Sequence, residues 1–121
     1  MADWFVSHPS GAPYQTPTFF RALKTFATEN DHLEIAFPPR DMVALDDRIA
    51  ILQATDLIIA EVSIASTGSG IELGLAYSLK KSIIAFHQGT SVVSPALGMA
   101  VTALHPYLTE EDITKVLETV A

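Results

Sequence analysis

The chain has 121 residues, 49% of them hydrophobic, and carries 14 acidic against 7 basic side chains for a net charge of −7. That length fits one domain, 1–121, able to bury a core of its own. The charge argues against a nucleic acid polymer as partner, whose phosphates would be repelled at long range, but leaves room for a small anionic ligand in one locally positive pocket.

There is no cysteine, which removes disulfides, thiolate metal sites and cysteine nucleophiles together. The longest apolar run, 57–60, is stopped by Glu61, well short of the roughly 18 residues of a membrane span. The first ten residues lack the basic region and apolar stretch of a signal peptide. A cytoplasmic setting without a membrane partner is expected.

In chain order, residues 3–7 read as a first strand, closed by the turn-rich stretch HPSGAPYQTP. From Pro17, apolar residues at 19, 20, 23, 26 and 27 fall at helical spacing, and proline suits a helix start. A short strand follows at 33–37, ended by Pro38-Pro39. A second helix is predicted over about 42–54, with Val43, Leu45, Ile49 and Leu52 facing inward. Residues 57–62, LIIAEV, form the continuous apolar run of a central parallel strand.

A helix is predicted over 71–80, a strand over 82–87, a short helical turn within 90–99, a strand near 100–104 and a last helix over 109–120. Thr109 before Glu110-Glu111-Asp112 reads as a capped helix start. Strand alternates with helix throughout, which predicts a three-layer α/β/α sandwich around a five-stranded parallel, flavodoxin-like sheet. In such sheets ligands bind beyond the carboxyl ends of the strands. Those ends are 7–14, 37–41, 62–70 and 87–95.

The stretch from Ala60 to Ala76, AEVSIASTGSGIELGLA, carries the most chemistry. A central strand feeds a Gly- and Ser-rich loop that opens a helix, a geometry that presents N–H groups and hydroxyls to a polar ligand. Gly68 and Gly70 are expected to let the backbone turn tightly, and Gly74 to let the helix approach the sheet. The spacing is not that of a dinucleotide fingerprint, and no Gly-Lys-Ser/Thr of a P-loop occurs. Glu72 is the odd residue here. Its carboxylate at a helix start suits attack on an anomeric carbon, and it equally fits a capping box with Ser69. Spacing alone leaves both readings open.

The same stretch resembles the signature of the nucleoside 2-deoxyribosyltransferase family, which includes the deoxynucleoside 5′-monophosphate N-hydrolases. The match runs from Asp56 to Ala76, and the order of elements agrees over nearly the whole chain. The resemblance implies a nucleoside or nucleotide substrate with a 2′-deoxy sugar and no cofactor. It also implies a homodimer or higher oligomer and Glu72 as nucleophile. It places Ser66, Gly68 and Gly70 at the ligand, with Ser66 leaning toward the hydrolases because the transferases carry an aspartate there. Ser94 is similar to a hydrolase serine that reaches a neighbouring subunit's site, and reads equally as an N-cap before Pro95.

Trp4 falls near the aromatic that the family places beside the ligand. Two departures stand beside these matches. The family's aspartate eight residues before Asp56 is Arg48 here, and Asp47 can replace it only if the following loop holds an extra residue, since one residue turns a helix by about 100°. The arginine that follows the hydrolases' first strand is also absent. His8, Pro9 and Ser10 stand there instead, Ser7 and His8 are the candidate substrate contacts, and His8 is either a phosphate or proton-transfer group or a solvated loop histidine.

His32, His87 and His105 lie too far apart to predict a metal site by spacing. Glu61 is open between the active end of its strand and a pairing with Arg48 or a backbone donor. The alternatives to an enzyme are a nucleotide- or ADP-ribose-binding module without chemistry, and a receiver-like signalling domain. The latter would need acids clustered after its first strand and a lysine after its fifth, and only Asp3 stands near the first strand.

Overall fold

The computed structural model describes residues 3–8, 16–37 and 44–121. Five strands form one sheet: β1 (Trp4–Ser7), β2 (Ile35–Ala36), β3 (Leu57–Glu61), β4 (Ser82–Gln88) and β5 (Ala103–Tyr107). Their order is β2-β1-β3-β4-β5 and every pairing is parallel. This is the flavodoxin-like order that the alternation of elements predicts, with its switch point between β1 and β3. Side chains alternate across each strand, so the sheet divides the core in two.

Trp4, Val6, Ile59, Ile84, Phe86 and Tyr107 face α1 (Pro17–Glu29) and α5 (Glu110–Val120), which pack on each other. Phe5, Ile58, Ala60, Val62, Ile83 and Ala85 face α2 (Leu45–Gln53) and α3 (Thr67–Ser78), also mutually packed. The short α4 (Pro95–Ala100) leans on α3.

Local sequence explains the helices. α1 starts with Pro17 in its first turn and buries Phe19, Phe20, Leu23 and Phe26 along one stripe. α5 opens with a reciprocal capping box between Thr109 and Asp112, as its acidic start suggests, and buries Ile113 and Leu117. Each such side chain removed from water contributes about 1.5–3 kcal/mol, so these two stripes anchor one whole layer. The capping bonds from the Leu108 and Thr109 N–H groups hold the Asp112 carboxyl below the usual aspartate range.

Several boundaries differ from the sequence expectations. α3 begins at Thr67, four residues earlier than the apolar periodicity suggests, because Ser66 caps it and Gly68 and Gly70 adopt helical conformations. β5 runs 103–107, since α4 occupies the preceding residues and Thr102 is tied to Ile83 through N–H and hydroxyl. Pro106 is tolerated because β5 is an edge strand. In α2, Leu52 is buried but Leu45 is exposed rather than inward; Val43 lies outside the described residues. No described helix is long and apolar enough to cross a membrane.

Candidate active site

The carboxyl ends of β1 and β3, with the first turns of α3, build the candidate site. Ser66 is the N-cap of α3 and its hydroxyl accepts the Ser69 N–H at 3.3 Å. This overturns the capping box between Ser69 and Glu72: Ser69 already stands at the third helical position, so Glu72 lies a full turn further in. The dipole, which fades within the first turn, is no longer what holds Glu72. Its partner is Arg48 on α2, whose Nη1 donates to Glu72 Oε2 in a tight ion pair. The Glu72 side chain is 3% exposed and that of Arg48 is 22% exposed, so the guanidinium is the member of the pair that meets solvent. The second Glu72 oxygen makes no hydrogen bond with the described residues.

Ser7 ends β1 on the same side of the sheet, two residues after Phe5. Its Oγ is fully buried and makes no hydrogen bond. An unpaired buried hydroxyl costs about 1–3 kcal/mol. Here it sits at the switch point, in register with Ala60 of β3, where this class of sheet binds ligands. α3 contacts β1, and Ser7 faces the same layer that holds Arg48 and Glu72.

The opposite flank of α3 carries a second feature. A cavity of about 530 Å³ is lined by Val62, Ser66, Ser69, Gly70, Leu73, Ser94 and Leu97 among others. It brings Ser66 and Gly70 together with Ser94, as the sequence motif suggests, but Glu72 and Gly68 do not line it. Ser94 caps α4 by position only, with no side-chain bond to its backbone. The expected glycine roles are not seen: none of the glycines at 68, 70 and 74 has a positive φ, and a Cβ on each would meet nothing.

Other candidates are placed elsewhere. Trp4 is buried at the amino end of β1 and stacks on Phe26 at 5.6 Å, because even-numbered β1 residues face α1; it is a core residue away from the carboxyl ends. His8 lies on that same α1 side, edge-on to Phe20 at 4.7 Å. Asp47 is exposed in the first turn of α2 beside Asp46, where the dipole favours acids. It is its neighbour Arg48 that turns inward to Glu72.

The sequence left Glu61 open. The structure buries it completely, its two oxygens accepting the Ser63 N–H and the Tyr107 hydroxyl. Burial and the neighbouring Glu61 carboxylate push the Tyr107 phenol well above its ordinary value. Ser63 Oγ in turn accepts the Gln88 N–H at 2.7 Å, so the network ties the exit of β3 to β4 and β5. Tyr107 is therefore more than the packing residue its sequence context suggests. No group of three or more potential metal ligands occurs among the described residues.

No family model matches the chain, and no curated protein is significantly similar to it in sequence. Solved structures do resemble it. The CMP N-glycosidase BcmB of Clostridium botulinum superposes with a TM-score of 0.65 at 18% identity, over 96% of this chain and 98% of that one. A putative pilus assembly-related protein of Burkholderia pseudomallei gives 0.60 at 11% identity, over 98% and 88%. At such identities these likenesses establish the fold, an α/β flavodoxin-like sandwich with its strands in parallel.

Proposed function

We propose that the chain cleaves the N-glycosidic bond of a nucleoside or a nucleoside 5′-monophosphate, with Glu72 as nucleophile. The observation that carries this is the Glu72 carboxylate itself. It is buried in α3 on the side of the sheet that carries Ser7, held by Arg48 through one oxygen, and the other oxygen makes no hydrogen bond with the described residues. The free oxygen attacks C1′ and the C1′–N bond breaks. Its electron pair leaves with the base, which takes up a proton. Water, or a second base in the transfer reaction, then opens the glycosyl ester and restores the carboxylate.

The sequence resemblance and the N-glycosidase activity of the fold neighbour BcmB support the same reading. Ser66 and Ser94, across α3, would offer hydroxyls to the polar remainder of a substrate. We also propose that the chain self-associates. Residues 88–104 contain no charged side chain, and Val92 and Met99 are exposed there. In a chain of net charge −7, two copies repel least through such a face. Light scattering should give a mass above 13.0 kDa.

Nucleosides and their 5′-monophosphates incubated with the protein, with and without a second free base, test the chemistry. Free base alone identifies a hydrolase, and an exchanged nucleoside identifies a transferase. Glu72→Gln should abolish either product. Undiminished base release from that variant would remove Glu72 from the mechanism. Tight binding without turnover by the wild type would favour the binding module instead.

A further inference from the structure

Arg48 poses a question that nucleophile chemistry alone leaves unanswered. A guanidinium offers five N–H donors in a rigid fork, and only one hydrogen bond from this side chain is made, to Glu72 Oε2. The side chain is partly buried, and its remaining donors are not committed to the protein. These donors face the solvent side of the pair and make no bond within the protein, so they are open to a ligand that brings an acceptor. The unpaired, fully buried Ser7 hydroxyl at the end of β1 on the same side of the sheet repeats the indication independently.

Stereochemistry says where that acceptor lies. If Glu72 displaces a base from C1′, as proposed above and on which this inference rests, it attacks the sugar face opposite the base. In a ribose the 2′-hydroxyl projects from that same face, on the carbon next to C1′. The two oxygens of a carboxylate are only about 2.2 Å apart, and hydrogen bonds to a sugar 2-hydroxyl strengthen in glycosidase transition states. A group already bonded to one carboxylate oxygen is therefore within reach of the 2′-oxygen when the other attacks.

We propose that Arg48 is a specificity-determining residue that donates to the sugar 2′-hydroxyl, so that the site prefers ribonucleosides or ribonucleotides to their 2′-deoxy counterparts. The sequence resemblance implies the deoxy sugar; the residue that departs from it reverses that expectation. Without a 2′-oxygen the guanidinium donors stay unpaired in the occupied site, and a site built to hydrogen-bond a hydroxyl rejects the analogue that lacks it.

The test measures kcat/KM for base release from matched pairs, CMP against dCMP and likewise for the uracil, adenine and guanine nucleosides and 5′-monophosphates. The wild type should favour the ribo member by about tenfold or more. Arg48→Met, checked for folding by circular dichroism, should bring that ratio close to one, mainly by losing the ribo rate. Arg48→Lys, which keeps the charge but not the fork, should fall between and serves if Arg48→Met does not fold. A wild type that treats the two sugars alike or prefers deoxy overturns the proposal, as does a ribo preference that survives Arg48→Met. Either result leaves the glycosidase reading standing. Absence of base release from every substrate removes that reading, and this one with it.

Discussion

The Arg48–Glu72 pair makes a prediction about stability that needs no substrate. The two partners are unequally exposed, 22% for the Arg48 side chain and 3% for Glu72, so the two ways of breaking the pair differ in cost. Arg48→Met leaves a carboxylate enclosed with no partner, and removing one member of a buried pair costs about 3–5 kcal/mol. Some water reaches this pair through the arginine, which puts the expected loss near the lower figure, about 3 kcal/mol. Glu72→Gln leaves a guanidinium that can turn toward solvent, and the expected loss is about 1 kcal/mol.

The double variant removes both charges and should lose about 2 kcal/mol, less than the sum of the two, giving a coupling near 2 kcal/mol. Urea unfolding followed by far-ultraviolet circular dichroism measures all four proteins. With a slope of about 2 kcal/mol/M, Arg48→Met should lower the midpoint by roughly 1.5 M. Strict additivity would show that the ion pair is not formed in solution. A larger loss in Glu72→Gln than in Arg48→Met would refute the argument from exposure.

Two further perturbations probe the scaffold around the site. Tyr107 keeps its proton in the native state to a pH at which an unfolded tyrosine has lost it. Its contribution is complete below about pH 10, and stability then declines as pH rises, by about 1.4 kcal/mol per unit. Tyr107→Phe should flatten that alkaline decline in urea unfolding at pH 9–11, and an unchanged slope would refute the assignment. At the end of α3, Lys80 has φ 61° in the left-handed region, and Lys81 N–H closes on Ala76 O while Lys80 N–H closes on Tyr77 O. This motif ordinarily takes glycine. Lys80→Gly should exceed Lys80→Ala in stability by about 1 kcal/mol, since both lose the charge but only glycine relieves the backbone. Equal melting temperatures would show that the turn carries no strain.

Alternation of apolar runs with helical periodicity was enough to order the sheet, because the central strands β1, β3 and β4 are buried on both faces and read as continuous runs. Boundaries were legible where capping chemistry is local, as at Thr109–Asp112. They were misread where glycines enter a helix: residues 67–70 look like loop by composition, yet nothing crowds them and Ser66 caps them. The site was legible to the extent that one loop encodes it, through Ser66, Gly70 and Glu72. What joins separate elements was not. The contact of Arg48 with Glu72 crosses two helices, and the bond of Tyr107 to Glu61 spans 46 residues. No periodicity marks either. A buried-strand acid such as Glu61, which must find donors somewhere, was the signal that could have prompted a search for Tyr107.

The two buried glutamates also differ in partner geometry, and the difference bears on which of them is proposed to react. Glu61 and Glu72 both leave little surface exposed, and by burial alone either is a candidate nucleophile. Glu61 has both oxygens occupied, by the Ser63 N–H and the Tyr107 hydroxyl. To react it would have to surrender a buried hydrogen bond and leave a donor unpaired, at a cost of about 1–3 kcal/mol before any chemistry begins. Its place on the α1 side, within the layer that Tyr107 closes, leaves no unpaired polar group beside it among the described residues. Glu72 is held through one oxygen by a cation that stays partly in water, and the buried hydroxyl of Ser7 lies unpaired on the same side of the sheet. Among the described residues only there do unspent donors and a free acceptor coincide, and that coincidence, more than the position of Glu72 in its helix, is what supports the proposal of Glu72 as the reactive acid.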